Sequence, residues 1–125
     1  MPVLSEPTNL GDLLKWEEDV RYSREQITVA AGQDLPIGTV VGRVTATAHF
    51  KAFDPAASDG SEQAVGILLG PIDATLIDCN DGLMLARSGI VASKLVVWPA
   101  GITAAQRATA ITHLEQRGVL IRDNA

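Results

Sequence analysis

The side chains able to do chemistry are few and scattered. Histidine occurs twice, at His49 and His113, and cysteine once, at Cys79. A nucleophilic enzyme needs a base within reach of its nucleophile, and neither histidine sits in a recognisable motif. His113 stands beside Leu114 in a helical stretch and reads as a partly exposed helix residue. His49 precedes Phe50 beside a threonine-rich stretch and reads as a strand-face residue. Pairing Cys79 with either would require a thiolate-promoting environment that the sequence does not show. Asp73, Asp78 and Asp81 form a carboxylate group within nine residues of the body. Paired carboxylates can hydrolyse glycosides or bind calcium. Asp78-Cys79-Asn80-Asp81-Gly82, however, lacks the alternating oxygen ligands and terminal Glu of a calcium loop. Asp81-Gly82 reads instead as a turn between two strands. Pro36-Ile37-Gly38 and Gly66 to Gly70 do not match a phosphate-binding loop, which needs more glycines and a following Lys-Ser/Thr. A single cysteine forms no internal disulfide and builds no cysteine-based metal site. The expectation is a protein that is not an enzyme, with no cofactor and no metal.

The frame that would position these groups is small. The chain has 125 residues, 46% hydrophobic but only 4% aromatic, so aliphatic and alanine packing must build its core. One domain is expected at this length, burying roughly two-thirds of its unfolded surface. No run approaches the ~20 apolar residues of a membrane helix. Glu6 and Asp12 come early, without a basic stretch followed by an apolar block, so no signal peptide is expected. The net charge of −5 and the absence of any basic cluster argue against nucleic acid as a partner.

Composition divides the chain near residue 25. Residues 1–25 carry six acids against three cations and few apolar residues: Leu10, Leu13, Leu14, Trp16, Val20 and Tyr22. They read as a flexible N-terminal arm that buries little by itself. Leu10, Leu13 and Leu14 have helical spacing. The group is either a local helix tucked onto the body or a docking arm, an apolar anchor set with a polar surround. Residues 26–125 read as the body. Ile27 and Val29 alternate about Thr28 as a strand, followed by a turn at Ala31 to Asp34. Thr39 to Thr45, Phe50 to Phe53, Ala64 to Leu69, Asp73 to Ile77, Gly82 to Arg87 and Ser93 to Trp98 supply further short strands. Asp54 to Ser61 is a loop by composition. One helix is clear. Thr103 and Gln106 form a capping box, Ala104, Ala108, Ile111 and Leu114 an apolar stripe, and Gly118 the stop. The fold class is β-rich α+β: a small single domain of short strands with one C-terminal helix.

Several stretches together resemble the head decoration proteins of tailed bacteriophages, of the phage lambda protein D type. They are Leu10-Gly11-Asp12-Leu13-Leu14-Lys15, Tyr22-Ser23-Arg24-Glu25, Thr28 to Gly32, Phe53 to Ser61, Ala64 to Leu68, Ala86-Arg87 and Trp98-Pro99-Ala100-Gly101. They span nearly the whole chain in order. The resemblance implies a structural virion protein that binds the outer surface of the expanded capsid as a homotrimer and cements it against DNA pressure. It implies the major capsid protein and a second copy of the chain as partners, no catalytic residue, and synthesis in the bacterial host cytoplasm. Docking is then expected from the arm, with Thr8, Leu10, Leu13, Leu14, Trp16 and Tyr22 as its contacts. The residues alone leave another class open, a small β-barrel that binds a carbohydrate or other small ligand near Asp73 to Asp81. A small hydrolase using Asp78 or Asp81 is a third.

Overall fold

The computed structural model describes residues 10–123. In chain order the elements are α1 (Leu10–Leu13), β1 (Leu14–Glu17), α2 (Val20–Ser23), β2 (Arg24–Val29), β3 (Gln33–Leu35), β4 (Val40–Arg43) and β5 (Phe50–Ala52). They continue with β6 (Gly66–Leu68), β7 (Ile72–Ala74), β8 (Cys79–Leu85), β9 (Gly89–Ala92), α3 (Ala104–Gln116) and β10 (Val119–Arg122). Strands β2-β5-β4-β6-β8 close into a barrel, β3 and β7 form a two-stranded ribbon, and β1-β9-β10 form a separate sheet. The β-rich α+β architecture expected from the sequence is the observed one.

Two apolar clusters share the barrel strands. Ile27, Val29, Val41, Phe50, Leu68 and Met84 draw on all five and meet Leu35, Ile72 and Ala74 of the ribbon. Val40, Ile67 and Leu85, one position along from Val41, Leu68 and Met84, join Leu13, Val91, Ala110, Leu114 and Val119 in the second cluster. Successive strand residues point to opposite faces, so β4, β6 and β8 are buried on both sides. That is why Ala64 to Leu69 is a continuous apolar run rather than an alternating one.

The helix starts and stops where its local chemistry dictates. Thr103 Oγ1 accepts from Gln106 N at 3.1 Å, and Gln106 Oε1 accepts from Thr103 N at 3.0 Å. Gly118, at φ +79°, ends it with its N–H donated to Glu115 O at 2.9 Å. The buried face differs from the expected stripe: Ala110 and Leu114 are buried and Ile111 half-buried, while Ala104 and Ala108 are exposed.

Three further expectations are corrected. Asp81 and Gly82 make no turn but lie within the continuous strand β8. A Cβ at Gly82 would stand 2.9 Å from Ile27 Cγ1, so the glycine serves close approach to β2 beside a register shift between Ile27 and Val29. Ser93 to Trp98 is not a strand: Ser93–Leu95 is a 3-10 turn, and only Val97 bridges to Thr39. The turn at Ala31 to Asp34 is shorter than expected, because Gln33 already opens β3.

The described part of the expected arm, Leu10 to Glu25, is seated on the body. Leu13 is fully buried in the second cluster. Strand β1 pairs antiparallel with β9, with Leu14 opposite Val91 and Glu17 opposite Gly89. The Arg24 guanidinium clamps Glu17 with a contact of 2.6 Å.

Candidate functional site

The groups with catalytic potential are kept apart or engaged structurally. Asp73 Oδ1 accepts from Thr75 N at 3.0 Å and Thr75 Oγ1 at 2.5 Å. Those two bonds lower its carboxyl below the usual range. Asp78 Oδ1 accepts from Ala31 N at 2.8 Å, and its Oδ2 lies 3.4 Å from His49 Nδ1. Each aspartate thereby fastens a loop. The Cys79 thiol donates to Asp81 Oδ1 at 2.7 Å, and this bond raises its pKa, opposite to what a nucleophile needs. His113 Nδ1 is buried without a hydrogen-bond partner among the described residues, on a cavity of about 250 Å³ shared with Phe53, Glu62 and Gln106. No cluster of His, Cys, Asp or Glu among the described residues could hold a metal. Ile27, Val29, Val41, Leu68 and Met84 pack together across the barrel strands, while Asp73, Thr75, Leu76 and Ile77 line an open surface depression of about 480 Å³ where the small-ligand reading would place its site.

Apolar surface is the more informative feature. Trp16 and Tyr22 are each 53% exposed, in company with Val20. Leu10, Leu14 and Trp16 line an open groove of about 360 Å³ with Lys15, Glu17 and Arg24. Thus Leu10, Leu14 and Trp16 of the expected docking set converge on one groove. Leu13 points away from it into the core, and Thr8 lies outside the described residues. Tyr22 stands under the Arg87 guanidinium, 5.2 Å from its ring centre, and Arg87 also contacts Tyr22 O and Glu25. This stack holds the exposed Tyr22 ring against the body. Among the described residues, strand β1 is the edge of its sheet, hydrogen-bonded to β9 on one side. An edge of this kind offers unpaired N–H and C=O groups to an added strand.

Sequence reasoning missed two exposed apolar sites. Leu76 and Ile77 follow β7 and are 90% and 73% exposed, and Val97 is 38% exposed beyond the 3-10 turn. Their neighbours Asp73, Thr75 and Asp78 made the segment resemble an alternating strand, which hid the protrusion.

No helix among the described residues is long and apolar enough to cross a membrane. None of the curated proteins compared with the chain matches it. A family model described as bacteriophage lambda head decoration protein D matches residues 3–119, nearly the whole length. This match covers the groove, both apolar clusters and the capped helix, and the chain belongs to the bacteriophage lambda head decoration protein D family, structural proteins of the phage capsid.

Proposed function

We propose that the protein binds the outer surface of the expanded capsid as a homotrimer and cements the shell against the pressure of packaged DNA. The family match over residues 3–119 carries this reading. A ligand that binds only the expanded shell stabilises that state by its binding free energy. Three linked copies make the second and third contacts effectively intramolecular. The docking surface is the groove of Leu10, Leu14 and Trp16 beside the outer edge of β1, together with Tyr22 and the segment that precedes Leu10. Aromatic anchors with a charged surround suit a hot-spot interface, and here Lys15, Glu17 and Arg24 supply the surround.

The test is sedimentation with expanded, decoration-free shells and with unexpanded precursors. Saturable binding to expanded shells alone is expected. Removing residues 1–9, which keeps every described core residue, should abolish or greatly weaken it without altering the melting temperature. Trp16→Ala and Tyr22→Ala should weaken it as well. Equal binding of both shell forms, or of neither, would overturn the cementing role.

A further inference from the structure

We propose that the Leu76–Ile77 tip of one copy seats in the apolar groove between Pro36, Pro71 and Val97 of the next, and that this head-to-tail contact closes the trimer. The proposal rests on the trimeric reading above and names the surfaces that make it. Leu76 and Ile77 are the most exposed large apolar side chains among the described residues. They are held out on a tip fastened at both ends. Asp73 accepts from Thr75 N and Oγ1 before it, and Asp78 accepts from Ala31 N after it. A preorganised knob loses little entropy on docking.

The complementary surface lies at the other end of the same ribbon. Leu35 pairs with Ile72, so Pro36 and Pro71 leave the ribbon at that end, while Gln33 pairs with Ala74 at the end that leads to the tip. There Pro36, Ile37, Pro71, Leu95 and Val97 line an open groove of about 440 Å³, with Lys94 beside them. Strands rise about 3.3 Å per residue, so the short ribbon holds knob and groove apart on one copy. Only a second copy can bring them together. A contact between two different patches is heterologous, and such a contact closes into a ring of three when each copy is rotated by about 120° from the last. Charge agrees: Asp73 and Asp78 flank the knob, and Lys94 forms no ion pair among the described residues.

The experiment is disulfide trapping on decorated expanded shells, in a Cys79→Ser background that removes the native thiol. Chains carrying Leu76→Cys and chains carrying Val97→Cys, mixed and then oxidised, are expected to link only as unlike pairs. The L76C/V97C double variant should give a covalent trimer. Linkage within L76C chains alone would reveal a two-fold contact and overturn the proposal. Shells that carry clusters of three yet show no linkage would overturn it while leaving the trimer standing. Shells that bind nothing would remove both readings. In parallel, L76E should keep the wild-type melting temperature but need a tenfold or greater excess for full decoration, and unchanged occupancy would overturn the contact.

Discussion

Asp59 shows how much of a loop one carboxylate can hold. Its Oδ1 accepts from Ser61 N at 3.0 Å and Ser61 Oγ at 2.5 Å, and Lys51 Nζ stands 2.8 Å from Oδ2. The Lys51 and Ser61 contacts keep its carboxyl well below the ordinary carboxylate range. A depressed folded-state pKa contributes stability that is present above the unfolded value of about 3.9 and is lost as pH falls through the folded value. Asp59→Asn is therefore expected to flatten the acid side of a melting-temperature profile below about pH 4, and an unchanged slope would show that the carboxylate contributes nothing. Opposite this loop, a Cβ on Gly42 would stand 2.6 Å from both Ser61 Cα and Ser61 O. Backbone cannot yield as a side-chain end can, so Gly42→Ala should cost about 1–3 kcal/mol in denaturant titration. An unchanged midpoint would mean that the loop moves away freely. The loop was readable from its Pro, Asp-Gly and Ser residues. Its closeness to Gly42 was not, because that contact joins residues 19 positions apart.

At the scale of elements, α3 separates what is local from what is not. Its capping box needs only residues 103 and 106, so the sequence alone revealed it. Its buried face did not follow, since a helix rich in alanine and threonine has several faces of nearly equal apolarity. The barrel and the sheet of β9 and β10 select the face with Ala110 and Leu114. Leu114→Ala should cost about 2–5 kcal/mol, and half-buried Ile111→Ala distinctly less. Equal costs would contradict the observed rotation of the helix. Thr103→Ala should cost about 1 kcal/mol through loss of the cap. The N-terminal elements behave as a working part of the fold. Removing residues 1–20 deletes Leu13 and β1, so it should lower the melting temperature, whereas truncation before Leu10 should not. A common melting curve for the two truncations would detach β1 from the body.

Across the whole molecule the two apolar clusters cannot melt separately, because β4, β6 and β8 give one residue to each in turn. Calorimetry should show one transition, with the calorimetric and van't Hoff enthalpies equal. Two resolved transitions would mean that the β1-β9-β10 sheet and α3 detach as a unit. The topology also joins distant segments: β1 meets β9, and β2 meets β8. Non-local pairing of this kind folds in milliseconds to seconds, so refolding should be slower than in helical chains of about this length.

Composition, turn chemistry and short-range pattern determined the class of this protein: strand-rich, with a capped C-terminal helix. The ordered series of stretches from Leu10 to Gly101 was enough to suggest the family. Those signals are readable because each depends on neighbours a few residues apart. Only the tertiary structure decided that Leu13 belongs to the core while Leu10, Leu14 and Trp16 share a groove. It alone turned Asp81-Gly82 from a turn into the middle of a strand, and lifted Leu76 and Ile77 clear of the surface. The reason is physical. Whether an apolar side chain is covered depends on which distant strands close over it, and in this fold the covering residues come from opposite ends of the chain.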